Sequence, residues 1–276
     1  MFDLHCHILP GIDDGARDLA TALKMAETAI ADGIRAIVCT PHITPGIYDN
    51  DAEGIHHAVQ AFAAELQQAG LGDLLLYVGA DIRITPEMGA RIASGQWPSI
   101  AGTRYFLFEP DHNVVVPGMI DLARKLLDQG LVPMLTHPER LRWIDGHYDM
   151  VCKLWEMGCV VQITAGAITG RFGPAPQKWS ERMLQDGLVD VIATDAHNMH
   201  RRPPLLREGF EAAAAIVGQE AAWRMVHDNP LAMLNDAPVA RHPGKARSKV
   251  AACPEQRKGT ETGQSLLAAL KRKLFH

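Results

Sequence analysis

No stretch of this 276-residue chain stays apolar for the roughly 18 residues that a membrane span requires. No basic-then-apolar leader opens it either. Its five cysteines, Cys6, Cys39, Cys152, Cys159 and Cys253, are odd in number and lack framework spacing. The expectation is therefore a cytoplasmic protein with reduced thiols, not a disulfide scaffold. None of the five has an arginine six positions on, which excludes the thiol-nucleophile loop and its phosphocysteine. The glycine-containing run from Gly166 to Gly173 lacks the Lys-Ser/Thr of a nucleotide-binding loop and reads as a loop beside a functional mouth. Positive charge is scarce over most of the chain. The net charge is −5, but Val239 to His276 alone carries +7, leaving −12 on residues 1–238. An acidic body of that kind argues against a nucleic-acid groove.

What is present is a regular alternation. Seven apolar runs read as strands: Phe2 to Leu9, Arg35 to Thr40, Leu74 to Ala80, Tyr105 to Phe108, Val132 to Thr136, Cys159 to Thr164 and Val189 to Thr194. Helical periodicity separates them, as in Leu19, Leu23, Ala26 and Ile30, closed by Gly33, or Ile120, Ala123 and Leu127. Strands alternating with helices imply parallel strands with crossover helices. Seven such units suggest an α/β fold of the barrel type, closed or nearly so, with a doubly wound sheet as the alternative. An apolar share of 47% supplies the core.

Polar residues fall where the apolar runs stop. His5 and His7 lie two apart on the first strand and so project together, Cys6 turning the other way. His42, Asp81, Glu109, His137, Asp195 and His197 each follow a strand, and Asp13-Asp14-Gly15 is placed to return a carboxylate over the first pair. In a parallel barrel such positions gather at one mouth. The donors are too many for one ion and suit about two or three, and the mixture without cysteine favours Mn, Fe or Zn. Such a site activates water and clamps an oxyanion, the requirement of phosphate-ester hydrolysis. Attack on phosphorus by a metal-bound hydroxide needs no phosphoenzyme. Arg140, just beyond His137, is placed to grip phosphate in a bidentate fork. His56, His57, His112, His147, His200, His227, His242 and His276 lie off the pattern and read as surface or helical residues, and the five tryptophans as packing.

Together His5-Cys6-His7, Pro41-His42, the acid after the third strand, Glu109, Thr136-His137-Pro138-Glu139-Arg140 and Thr194-Asp195-Ala196-His197-Asn198 resemble the PHP (polymerase and histidinol phosphatase) superfamily. The Asp13-Asp14-Gly15 turn, the His-x-Glu-Arg run and the run from His197 to Pro204 are similar to one branch, the metal-dependent protein-tyrosine phosphatases of bacterial capsule and exopolysaccharide systems. The resemblance spans Met1 to about Asn235. It implies a distorted (β/α)7 barrel and a trinuclear centre: His5, His7 and Asp195 on one ion, Asp81 bridging to a second completed by Glu109 and His137, and Asp14, His42 and His197 on the third. Manganese is the first choice of metal. The family usually has Glu at the bridging position, where this chain has Asp81, one methylene shorter. Arg202 joins Arg140 as a phosphate-binding candidate by the same resemblance. The implied substrate is a phosphotyrosine protein, a tyrosine autokinase of polysaccharide export. The competing readings are another phosphoesterase of the superfamily (a histidinol phosphatase or a nuclease-like enzyme) and a non-catalytic metal-binding regulatory module. An amidohydrolase barrel would require a metal-bridging lysine at a strand end, and none stands there.

Residues 1–236 are thus expected to form the barrel. Residues 237–276 read as a basic, disordered tail whose last dozen residues, Ser265 to His276, are either a frayed solvated end, the favoured reading, or a short amphipathic helix that docks on an anionic membrane or an acidic partner.

Overall fold

Seven parallel strand paths lie side by side in the computed structural model, which describes residues 1–241, and two of the paths are broken midway. The strands are β1 (Phe2–Cys6), β2 (Ala36–Cys39), β3 (His42–Ile43), β4 (Leu75–Val78), β5 (Asp81–Arg83), β6 (Tyr105–Glu109), β7 (Val132–Thr136), β8 (Val160–Thr164) and β9 (Val191–Ala193). One sheet runs β1-β2-β4 and the other β3-β5-β6-β7-β8-β9, all pairs parallel. Each path feeds a helix that packs outside, such as Leu19–Asp32, capped by Asp18 and stopped at Gly33. No helix among the described residues is long and apolar enough to cross a membrane.

β2 and β3 are one path, interrupted at Thr40-Pro41, and β4 and β5 another, interrupted at Gly79-Ala80. Pro41 has no N–H to give the ladder. Gly79 sits so close to the second path that a Cβ there would lie 2.6 Å from Val38 Cγ1. The paths stay joined across the break, because Gly79 N donates to Cys39 O (3.0 Å) and Asp81 N to Pro41 O (3.1 Å). His42 and Asp81 therefore begin the short upper strands instead of following the lower ones. They pair directly in register.

β1 carries a second irregularity. Asp3 pairs with Ile37 but Cys6 with Cys39, so one extra residue is accommodated and the alternation inverts. Below that point Leu4 points into the ring, joining Val38, Leu107, Met134, Val160 and Val191 in an inner cluster. Above it His5 takes the inward place, facing Gln162 of β8. A larger apolar cluster fills the space between strands and helices.

The strand order shows no reversal of the kind a doubly wound sheet has, and the strands form no continuous closed ladder: a seam separates β9 from β1. A single bridge, Cys6 with Ala196, joins the two edges. His7 N donates to Ala196 O (2.9 Å) and Asp195 N to His5 O (2.8 Å). The buried Asp3 carboxylate reinforces the seam, accepting from the Thr194 backbone N (3.0 Å) and from the Thr194 hydroxyl.

Chain order does not stop at residue 236. Arg241 donates to Trp155 O (2.7 Å) and to Cys159 O, and lies 3.4 Å from the buried Asp190. Asn229 bonds both ways with Ala240. The remainder of the basic tail, residues 242–276, lies outside the described residues.

Asp3→Ala leaves the buried Thr194 N–H without its acceptor and should cost about 2–3 kcal/mol of unfolding free energy in a urea titration. Asp3→Asn, which keeps an acceptor and a donor, should cost less than half of that. Equal losses in the two variants would show that the seam does not depend on this bond.

Candidate metal centre

Strand ends, strand breaks and the seam bring nine predicted donors into one cluster. His5 Nε2 lies 3.1 Å from His7 Nε2, 3.3 Å from Asp195 Oδ1 and 3.4 Å from Asp81 Oδ2. His42 Nδ1 is 3.5 Å from Asp81 Oδ2 and 3.7 Å from Glu109 Oε2. On its other side, His42 Nε2 is 3.5 Å from Asp14 Oδ1, which also faces His197 Nε2 at 3.4 Å. His137 Nε2 approaches Asp81 Oδ2 at 3.9 Å. Asp81 therefore touches three histidines and occupies the middle. All nine are buried or half-buried except Asp14, whose side chain is 49% exposed at the rim.

Several donors are held from behind. Asp13 accepts from His7 Nδ1 (2.7 Å), from the His42 backbone N (3.0 Å) and from the Gly15 N (2.9 Å), leaving His7 Nε2 aimed inward. The turn lies so tightly on β1 that a Cβ on Gly15 would fall 2.1 Å from His7 O. His5 Nδ1 meets Gln162 Oε1 at 3.0 Å. His137 and Asp195 adopt left-handed backbone, φ 36° and 49°, which a non-glycine residue takes at a cost. Asn198 Oδ1 accepts from the N–H groups of His200 (3.1 Å), Arg201 (2.8 Å) and Arg202 (3.3 Å), moulding the loop that returns Arg202 to the site.

Arg140 and Arg202 both reach Asp195 Oδ2, and Arg202 Nε also donates to Asp195 O (3.1 Å). Both guanidiniums lie over the Phe172 ring, at 4.6 and 5.9 Å from its centroid, so the segment from Gly166 to Gly173 stands beside the mouth, although its start belongs to a short helix, Ala165–Ile168, and not to a loop.

The charges sort themselves within the cluster. Burial opposes ionisation of Asp195, but Arg202, His5 and Arg140 outweigh it and hold the carboxyl well below its usual range. Asp81 is held down likewise, burial being overcome chiefly by His5. Glu109 goes the other way, pushed well up by burial and by the Asp81 charge. Burial disfavours charged His7, yet Asp13 lifts it to about 10. Burial and neighbouring cations push His42 and His137 down, and His197 down to about 4. Those shifts favour the neutral ring, the form that ligates metal.

Many buried donor atoms have no hydrogen-bond partner among the described residues: both Asp81 oxygens, Glu109 Oε2, Asp195 Oδ1, His42 Nδ1, His137 Nδ1 and His197 Nε2. Such atoms are costly to bury unpaired. A mixed imidazole and carboxylate set aimed at shared space fits divalent cations. Donor atoms of His7, Asp14, His42 and His197 lie within 4.8 Å of one another, as do those of His5, His7 and Asp81, and of His42, Asp81 and Glu109. The Cys6 and Cys39 thiols, buried and pushed up in pKa, are not donors to these sets.

Four contributors do not follow the strand-end rule. Asp13 acts through His7, and Gln162 through His5. Glu139 is buried and accepts from Thr164 N (2.9 Å). His112, expected at the surface, instead stands with its ring 4.9 Å from that of His137. Its only sequence signal is its place three residues after Glu109.

The protein-family model for capsular polysaccharide synthesis, CpsB/CapC, matches residues 1–235. The chain is 34% identical over 245 residues to the tyrosine-protein phosphatase YwqE of Bacillus subtilis (strain 168), covering 88% of this chain and 95% of that one. It is 26% identical over 244 residues to the tyrosine-protein phosphatase CpsB of Streptococcus pneumoniae, covering 86% and 99%. A crystal structure from a study of YwqE and CpsB, described as "unique metal-dependent tyrosine phosphatases", superposes with a TM-score of 0.84 at 33% identity, covering 88% of this chain and 98% of that one.

Burial raises the Glu139 carboxyl from an ordinary 4.5 to about 7. The folded state then holds this proton more tightly than the unfolded chain, so the residue costs stability as pH rises from about 4.5 to about 7. Glu139→Gln should gain on the parent protein between pH 5 and 8, by about 3 kcal/mol at most, in urea unfolding with chelator present. A difference that stays constant with pH would contradict the assignment.

Proposed function

The chain belongs to the CpsB/CapC family of capsular polysaccharide synthesis, and from that premise we propose that it is a metal-dependent protein-tyrosine phosphatase, a phosphoric monoester hydrolase. The observation that carries this reading is the placement of Arg140 and Arg202, side by side on Asp195 at the edge of the histidine and carboxylate cluster. Two planar guanidiniums beside a cation site suit a dianionic phosphate ester.

His5, His7 and Asp195 would hold one ion, Asp81 bridging it to a second at Glu109 and His137, with a third at Asp14, His42 and His197. Two to three divalent ions, manganese first, are proposed. When bound, they would acidify a water and offset the charge of the phosphate oxygens. The chain's own part is to orient and exclude. Asp13 and Gln162 fix which imidazole nitrogen faces inward. Arg140 and Arg202, backed by Phe172, stand where their guanidinium forks would grip phosphate oxygens at the edge of the cluster. A phenolate leaves with less need of protonation than an alkoxide, so an aryl ester asks little of a general acid.

The proposed protein substrate is a tyrosine autokinase of capsule or exopolysaccharide biosynthesis, met in the cytoplasm. The basic tail, with its +7 charge from Val239 onward, is proposed to favour an acidic partner or an anionic membrane surface.

The test is hydrolysis of a phosphotyrosine peptide, a phosphoserine peptide and histidinol phosphate after metal stripping and restoration with Mn, Fe, Zn or Mg. Activity restored by metal and confined to phosphotyrosine is expected. Arg140→Ala should lower kcat/KM by about 100-fold or more, and Arg140→Lys should recover little of it because lysine offers no fork. Activity indifferent to chelation, or a preference for histidinol phosphate, would overturn the reading.

A further inference from the structure

We propose that His112 is a further protein ligand of the ion held by Glu109 and His137. This rests on the metal-centre reading above and adds a residue to it. His112 Nε2 lies 3.8 Å from Glu109 Oε1, and its ring centroid 4.9 Å from that of His137. One donor atom from each of the three residues falls within a common 4.8 Å. A separation of 3.8 Å is too long for a hydrogen bond, and the His112 ring makes none among the described residues. His137 Nδ1 is likewise buried without a partner, as is Glu109 Oε2, which faces His42 Nδ1 at 3.7 Å while Oε1 faces His112. Three donors converge on one space and satisfy neither one another nor themselves.

The backbone around His112 is fixed as though the position of that ring mattered. Asp111 caps the turn, accepting from Asn113 N (2.7 Å) and Val114 N (3.0 Å), and pairs with Arg83 Nη1 at 2.7 Å. The Trp143 indole donates to Asp111 O (2.9 Å), and Arg142 N to His112 O (2.9 Å). Few of these bonds would be needed for a solvated surface histidine, which needs no fixed orientation. Loops pinned on both sides of a polar side chain are how a site holds a donor in place. With Asp81, the ion would then have two imidazoles and two carboxylates, a set suited to zinc or iron at least as well as to manganese.

The test uses the full-length, metal-stripped protein titrated with Co²⁺, reading both visible absorption and bound equivalents after dialysis. His112→Ala and the isosteric His112→Gln should each weaken one binding event by about tenfold or more and alter its absorption band, leaving the other events unchanged. The His112 side chain is 30% exposed, and unfolding of the chelated variants should match that of the parent. His137→Ala serves as the control. If it loses one event while both His112 variants titrate like the parent, His112 is not a ligand and this inference falls alone. If His137→Ala also titrates like the parent, the underlying assignment of the ion fails as well. A raised KM for phosphopeptide with unaltered titration would make His112 a substrate contact and overturn the ligand assignment.

Discussion

A single buried carboxylate, Asp195, ties closure of the ring to the chemistry of its mouth. Its backbone N–H bonds to His5 O across the seam, while its side chain meets His5, His7, Arg140 and Arg202. Stripping one partner from such a buried charged group costs about 3–5 kcal/mol, because the remaining charges are left uncompensated. The left-handed backbone at Asp195 is held by the same contacts that it serves. The seam is therefore weak as a β ladder and strong as a charged network. Fold and site share one set of atoms.

The rest of the cluster departs from good core design in a patterned way. Asp81 is buried with both oxygens unpaired, and Glu109 beside it is driven toward its neutral form. A core built for stability alone would replace such groups with apolar ones. Their retention, each aimed at a neighbour's unpaired nitrogen, marks a place where local rules are broken for function. The two strand breaks contribute directly. By starting new strands at His42 and Asp81, they set those residues opposite each other in register. The inversion on β1 does the same for His5, which would otherwise share its facing with Asp3.

Much of this was legible in the chain because a parallel barrel imposes a simple rule: apolar runs are strands, and polar residues at their ends converge. The eight donors chosen by that rule lie in the cluster, and Asp14, which only the family resemblance singled out, lies at its rim. The rule has no means of seeing a strand that stops and restarts. The interruptions at Pro41 and Gly79 arise from a missing N–H and from the proximity of Val38, and only the second path's approach makes glycine necessary. The β1 bulge is hidden for a similar reason, since an extra residue leaves no mark on the alternation of side-chain types. The places of His112 and Asp13 are not legible in the chain because each depends on what lies across the fold: Glu109 and His137 for one, His7 Nδ1 for the other. Residues 237–241 have a linker's composition, yet Arg241 meets the buried Asp190, a partner about fifty residues earlier that composition cannot reveal.

If these unpaired donors form a multi-ion centre and not an ion-pair network of the core, ions must be found among them. Crystals grown with Mn²⁺, with anomalous scattering collected at the manganese edge, test it most directly. Discrete anomalous peaks are expected among His5, His7, Asp81 and Asp195, and among Asp14, His42 and His197. An anomalous map without peaks there, with the His5–Asp195 and His42–Asp81 contacts preserved at their present spacing, would contradict it.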